Sequence, residues 1–139
     1  MYVGPMFSGK STKLIQQIER YKFAKKNIIC FKPTMDTRYT TEGYIVTHSD
    51  IHVPCYLVNM VRLYNDRATN EKIDAVAVDE AFMIEGVSNV CLDFLYNKKI
   101  DVLISSIDMS SSLKSFEEIA RLMCHATHIK KCKAVCTVC

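Results

Sequence analysis

Gly4-Pro5-Met6-Phe7-Ser8-Gly9-Lys10-Ser11-Thr12 is the stretch on which the reading of this chain turns. Its first eight residues fit G-x-x-x-x-G-K-[ST], the loop that wraps backbone N–H groups around a chain of phosphates. Gly4 and Gly9 turn the chain without a Cβ penalty, Lys10 can reach phosphate oxygens as a point charge, and the Ser11 hydroxyl can ligate Mg²⁺. Pro5, Met6, Phe7, Ser8 and Thr12 complete the candidate phosphate-binding set. The plainer reading is a glycine turn ahead of a helix with one solvated lysine. Against it stand the complete match and the helical segment that follows.

Leu14, Ile15, Ile18 and Tyr21 repeat at helical spacing, with Lys13, Gln16, Gln17 and Arg20 between them, so the loop opens an amphipathic helix. The amino end of that helix adds partial positive charge where Lys10 already sits. Asn27 to Phe31 is a short apolar run that Lys32-Pro33 closes, and it reads as a buried strand. Thr34 to Gly43 is polar and turn-like, and brief extended segments are expected at Tyr44 to Val46 and Val53 to Val58.

Ile73 to Val78 is a second apolar strand, and Asp79 and Glu80 stand at its end. After a phosphate loop, the first acid of such a pair suits the metal and the second can polarise a nucleophile. The alternative is an acidic helix start. Val87 to Leu95 reads as a helix, Ile100 to Ile107 as a third buried strand ending at Asp108, Ser115 to His125 as a helix, and Ile129 to Val135 as a closing strand. Alternating strands and helices give an α/β fold with a parallel sheet flanked by helices. Sites in such sheets lie at the carboxyl ends of the strands, where the loop, Asp79, Glu80 and Asp108 would converge.

With 139 residues, 49% hydrophobic and 24% charged, the chain suits one domain, and no linker or repeat divides it. No apolar run approaches the ~20 residues of a membrane helix, and no leader pattern is present, so the expected location is the cytoplasm. A net charge of +3 spread along the chain gives no reason to expect a nucleic-acid partner. Seven cysteines at scattered spacings suit thiols and metal rather than a disulfide framework. The tail ends on Cys136-x-x-Cys139, which can supply two of the four ligands of a structural zinc; the alternative is a pair of free thiols. Cys132, Cys124, His125 and His128 are the local candidates to complete it, each more simply read as structural.

Together these residues resemble the thymidine kinase family of the cellular, bacterial and poxviral type. The resemblance is carried by GPMFSGKST (Gly4 to Thr12), MDTRY (Met35 to Tyr39), THS (Thr47 to Ser49), VDEA (Val78 to Ala81), SSID (Ser105 to Asp108) and AVCTVC (Ala134 to Cys139). It implies transfer of the ATP γ-phosphoryl to the 5′-hydroxyl of deoxythymidine with Mg²⁺, on a P-loop domain over residues 1–131 followed by the first half of a zinc knuckle over 132–139. In that reading Glu80 is the general base, Lys10 the phosphate clamp, and Ser11 and Asp79 the magnesium side. Asp36 joins the magnesium contacts, Arg38 the phosphate contacts, and Met6 and Met83 fall in the nucleoside pocket, with packing in the core as the alternative for Met6. A homotetramer, a covering loop and a second zinc pair are further implications.

The chain also departs from the family. Ala81-Phe82-Met83-Ile84 stands where the family has G/A/V-Q-F-F, and Met109 to Ser115 lacks the glycine, aromatic and proline that usually follow the aspartate. Those segments line the nucleoside pocket, so a non-catalytic ATP-binding relative and a P-loop ATPase are the alternative readings.

Overall fold

The computed structural model describes residues 1–33, 44–46, 52–58 and 72–134. Strand β1 (Tyr2–Val3) leads through the glycine loop into helix α1 (Lys10–Phe23), and β2 (Ile28–Pro33) follows. The short strands β3 (Tyr44–Val46), β4 (His52–Pro54) and β5 (Tyr56–Val58) precede β6 (Ala75–Val78). A 3₁₀ turn (Ala81–Met83) leads to helix α2 (Val87–Leu92), which runs on as a π turn (Asp93–Asn97). Strand β7 (Asp101–Ser106), helix α3 (Glu117–His125) and the two-residue β8 (Lys130–Lys131) complete the order.

Six strands form one parallel sheet in the order β5-β2-β6-β7-β1-β8, while β3 and β4 pair antiparallel beside it. The expected α/β fold with helices on a parallel sheet is therefore present. Of the expected closing strand Ile129 to Val135, Lys130 and Lys131 are the described residues that pair, with Tyr2 and Val3, and Val135 lies outside the described residues. Strand β7 lies between the loop strand β1 and the acid-bearing strand β6. The loop thus reaches Asp79 across an intervening strand rather than from an adjacent one.

Each face of the sheet buries its own cluster because side chains alternate along a strand. On one face Leu14, Ile15 and Ile18 of α1 pack with Cys30, Ala77, Ile45 and Val53. On the other, Val3, Phe31, Val76, Val78 and Ile104 meet Val87, Phe94, Ile119 and Leu122 of the second helical layer. That layer is tied by Glu118, which accepts hydrogen bonds from the backbone N–H groups of Gly86 (3.2 Å) and Ser88 (3.3 Å) at the start of α2. A carboxylate there satisfies amides that the helix leaves unpaired and meets the positive end of its dipole.

Gly4 is required both by its φ of 151° and by packing. A Cβ at this position would lie 2.2 Å from the Cys132 carbonyl oxygen, and the Cys132 N–H bonds the Val3 carbonyl at 2.7 Å. Gly9 meets no such crowding; its φ of 80° is what requires glycine.

Candidate active site

The phosphate-type loop follows the carboxyl end of β1, and its last turn is set by Gly9, which stands at the cap of α1. Inside the loop Ser8 Oγ donates to the Pro5 carbonyl at 2.7 Å, and Lys10 Nζ donates to the same oxygen at 2.6 Å. Lys10 is only 6% exposed, whereas Phe7, with a positive φ of 59°, is 67% exposed. The loop thus keeps its cation inside and turns an aromatic side chain outward.

Ser11, in the first turn of α1, donates a 3.0 Å hydrogen bond to Asp79 Oδ1. Asp79 is buried at the carboxyl end of β6, and its N–H continues the ladder to the Phe31 carbonyl at 2.9 Å. A hydroxyl and a carboxylate side by side form an all-oxygen donor pair, the hard-ligand chemistry that Mg²⁺ selects, so the residues present fit that ion.

Glu80 follows in the left-handed region, φ 52° and ψ 43°. A non-glycine residue there costs on the order of 1–3 kcal/mol, and such strain gathers at functional sites. The turn is held from both sides: Met83 N–H bonds the Glu80 carbonyl at 3.1 Å, and the Phe82 N–H bonds Ser106 Oγ at 3.1 Å. Ser106, buried at the end of β7, donates in turn to the Ile107 carbonyl at 2.9 Å. Ser106 fixes the turn after Glu80 because strands β6 and β7 lie side by side, a placement that the motif around it does not reveal.

Lys32, a strand end by its sequence, also belongs to this region. It is 2% exposed on β2, and the pairing of Phe31 with Val78 puts it opposite Asp79 as the ladder continues. Only tertiary pairing reveals this, because the two are far apart in the chain.

Two thiols lie on the same side of the sheet. Burial pushes Cys30 up to about 11, opposed by Lys22 and reinforced by Asp79. Burial pushes Cys55 up to about 12, opposed by Lys32 and reinforced by Cys30 and Asp79.

The other expected residues divide as follows. Met6 and Met83 are both partly exposed, at 37% and 36%, and Phe82 packs on Phe116 with ring centroids 5.2 Å apart. Asp108 does follow the end of β7, yet its carboxylate pairs with Lys131 Nζ at 3.1 Å, which ties it to β8. Asp36, Arg38, Cys136 and Cys139 lie outside the described residues. Of the local zinc candidates, His125 meets the Tyr96 hydroxyl at 2.9 Å, His128 meets Thr127 Oγ1 at 3.2 Å, and Cys132 is buried. Among the described residues no group of three or more His, Cys, Asp or Glu side chains could hold a metal. Nor among them is any helix long and apolar enough to cross a membrane.

A cavity of about 1080 Å³ opens at the other end of the sheet, between Arg20 and Tyr21 of α1 and the segment from His125 to Lys130. Its lining includes none of Lys10, Ser11, Asp79 or Glu80, so volume alone would point away from the loop and acids.

The family model described as thymidine kinase matches residues 1–139. Over 136 residues the chain is 32% identical to a thymidine kinase of Mesomycoplasma hyopneumoniae (strain 7448), a match that covers 98% of this chain and 73% of that protein.

Proposed function

Because the chain belongs to the thymidine kinase family, we propose that it transfers the γ-phosphoryl group of ATP to the 5′-hydroxyl of deoxythymidine. The observation that carries this reading is the 3.0 Å bond between Ser11 and Asp79, which brings the phosphate loop and the acidic strand end to one point. Phosphoryl transfer asks a protein mainly for positioning and charge compensation.

In this reading the loop from Gly4 to Thr12 cradles the phosphates, and Lys10 leaves its bond with the Pro5 carbonyl to reach their oxygens. Ser11 and Asp79 would hold Mg²⁺, which supplies charge neutralisation on the phosphate oxygens. Glu80 accepts the proton of the 5′-hydroxyl as that oxygen attacks phosphorus and the bond to the ADP leaving group breaks. Its strained backbone, braced by Ser106, fixes where that carboxylate starts from. Arg38 and Asp36 enter this reading as further phosphate and magnesium contacts. Met6, Met83 and the Phe82–Phe116 pair enter it as the apolar surroundings of the base. Cys136 and Cys139 enter it as two ligands of a structural zinc, in a cytoplasmic enzyme that assembles as a homotetramer.

The test is incubation with γ-labelled ATP, Mg²⁺ and thymidine. Labelled thymidine monophosphate is expected. Binding of ATP without any labelled nucleotide product would replace the kinase reading with that of a nucleotide-binding relative, and release of free phosphate without nucleoside would make the chain an ATPase.

A further inference from the structure

A lysine that is 2% exposed needs a reason, because an ammonium group is costly to bury unless it is paired. Lys32 stands near the carboxyl end of β2 on the face that α1 covers: its neighbour two residues back, Cys30, packs there with Leu14, Ile18 and Ala77. Ala77 is the register partner of Cys30 and Val78 that of Phe31, so the same alternation brings Asp79, the residue just past the end of β6, alongside Lys32. The Asp79 N–H bond to the Phe31 carbonyl keeps the two strands together at that step. Asp79 points to the same face, since its carboxylate meets Ser11 of α1. Neighbouring strands of a sheet lie about 5 Å apart. Cys55, beside them on the edge of the sheet, feels the field of Lys32 and of Asp79 alike.

We propose that Lys32 is the resident counter-ion of Asp79, a positioning residue that keeps the carboxylate beside the Ser11 hydroxyl and discourages a bare divalent cation from settling there ahead of the nucleotide. The inference rests on reading Asp79 as the metal-side carboxylate. Lys32 holds its place through the protein's own charges: a fixed positive charge one strand away opposes a doubly charged ion, and the phosphates of ATP then supply the negative charge that brings the metal in. A unit charge at that separation in a partly buried site changes the affinity for such an ion by about tenfold or more.

The experiment is a titration of nucleotide-free protein with Mn²⁺, followed through the spectrum of the free ion, on wild type, K32M, K32R, D79N and the K32M/D79N double variant. K32M should bind Mn²⁺ about tenfold or more tightly than wild type, K32R should behave as wild type, and the double variant should lose the gain. Equal Mn²⁺ affinity in K32M and wild type overturns the role of Lys32, as does a gain that survives in the double variant. The underlying reading has its own control: if D79N binds Mn²⁺ with ATP as well as wild type does, Asp79 is not on the metal side. Should K32M fail to fold, thermal unfolding of the double variant decides. Removing Asp79 as well should restore a folding transition if the two charges compensate each other, and no recovery overturns the pairing.

Discussion

Ser11 and Asp79, separated by 68 positions in the chain, are joined by a 3.0 Å hydrogen bond between a helix start and a strand end. A hydroxyl bonded to a carboxylate contributes about 1.5–3 kcal/mol to stability, and its further value lies in what it places together. Thymidine phosphorylation should fall on the order of 10²-fold or more in both Ser11→Ala and Asp79→Asn, with Ser11→Ala melting nearer to wild type and Asp79→Asn destabilised by about 3 kcal/mol, because it leaves the buried Lys32 without its counter-ion. Steady-state rates across a Mg²⁺ series, beside a thermal scan, check this; a variant that keeps wild-type turnover at every Mg²⁺ concentration contradicts it.

Glu80→Gln removes a proton acceptor and keeps the size of the side chain and the strained turn around it. Turnover should fall by roughly 10²–10⁴-fold, the usual worth of a positioned base, with ATP affinity unchanged. Parallel calorimetry and rate measurements separate the two, and loss of ATP binding along with activity would mean that Glu80 supports the loop instead.

The two motif glycines should behave differently. Gly4→Ala drives a Cβ to 2.2 Å from the Cys132 carbonyl, which only a backbone shift can relieve, so a loss of about 3 kcal/mol or more is expected. Gly9→Ala meets no neighbouring atom and carries only the left-handed penalty of about 1–2 kcal/mol. Urea denaturation midpoints for the two variants rank them, and equal midpoints would remove the Cys132 contact from the explanation.

Stability should decline in alkali. Burial pushes the Cys91 thiol up to about 12, with Glu118 adding to it, and Cys30 and Cys55 are raised to about 11 and about 12. Tyr21, partly buried and bonded to Asp101 at 2.8 Å, is also raised to about 12. The folded chain keeps these protons after the unfolded chain has lost its thiol protons near 9.0. Their contribution is therefore complete below that pH and lost as pH climbs toward 11 and 12. Each thiol lowers the folding equilibrium by roughly tenfold per pH unit across that window. Denaturation midpoints that hold level from about pH 8 to about pH 10.5 would contradict the burial of these groups.

Much of this molecule is legible in its linear order. The helix from Lys10 to Phe23 follows from apolar residues three and four apart, β6 and β7 from short runs of branched residues, and the phosphate loop from two glycines at the spacing that its turns require. These depend on neighbours within one or two turns of chain. An apolar run is necessary for a buried strand and does not by itself supply a partner, so of the described residues in the closing segment Lys130 and Lys131 pair with β1. Asp108 was placed at the right end of the sheet, but its choice of Lys131 depends on β8 lying beside β1.

The sequence by itself determined the element types, the loop and the pair of acids, since local periodicity and backbone conformation need no distant partner. Tertiary structure alone decided that β7 separates β1 from β6, that Cys132 crowds Gly4, that Ser106 braces the turn after Glu80, and that Lys32 stands opposite Asp79. Strand order and register are set by which faces can be buried together, and that is a property of the whole sheet rather than of any one segment.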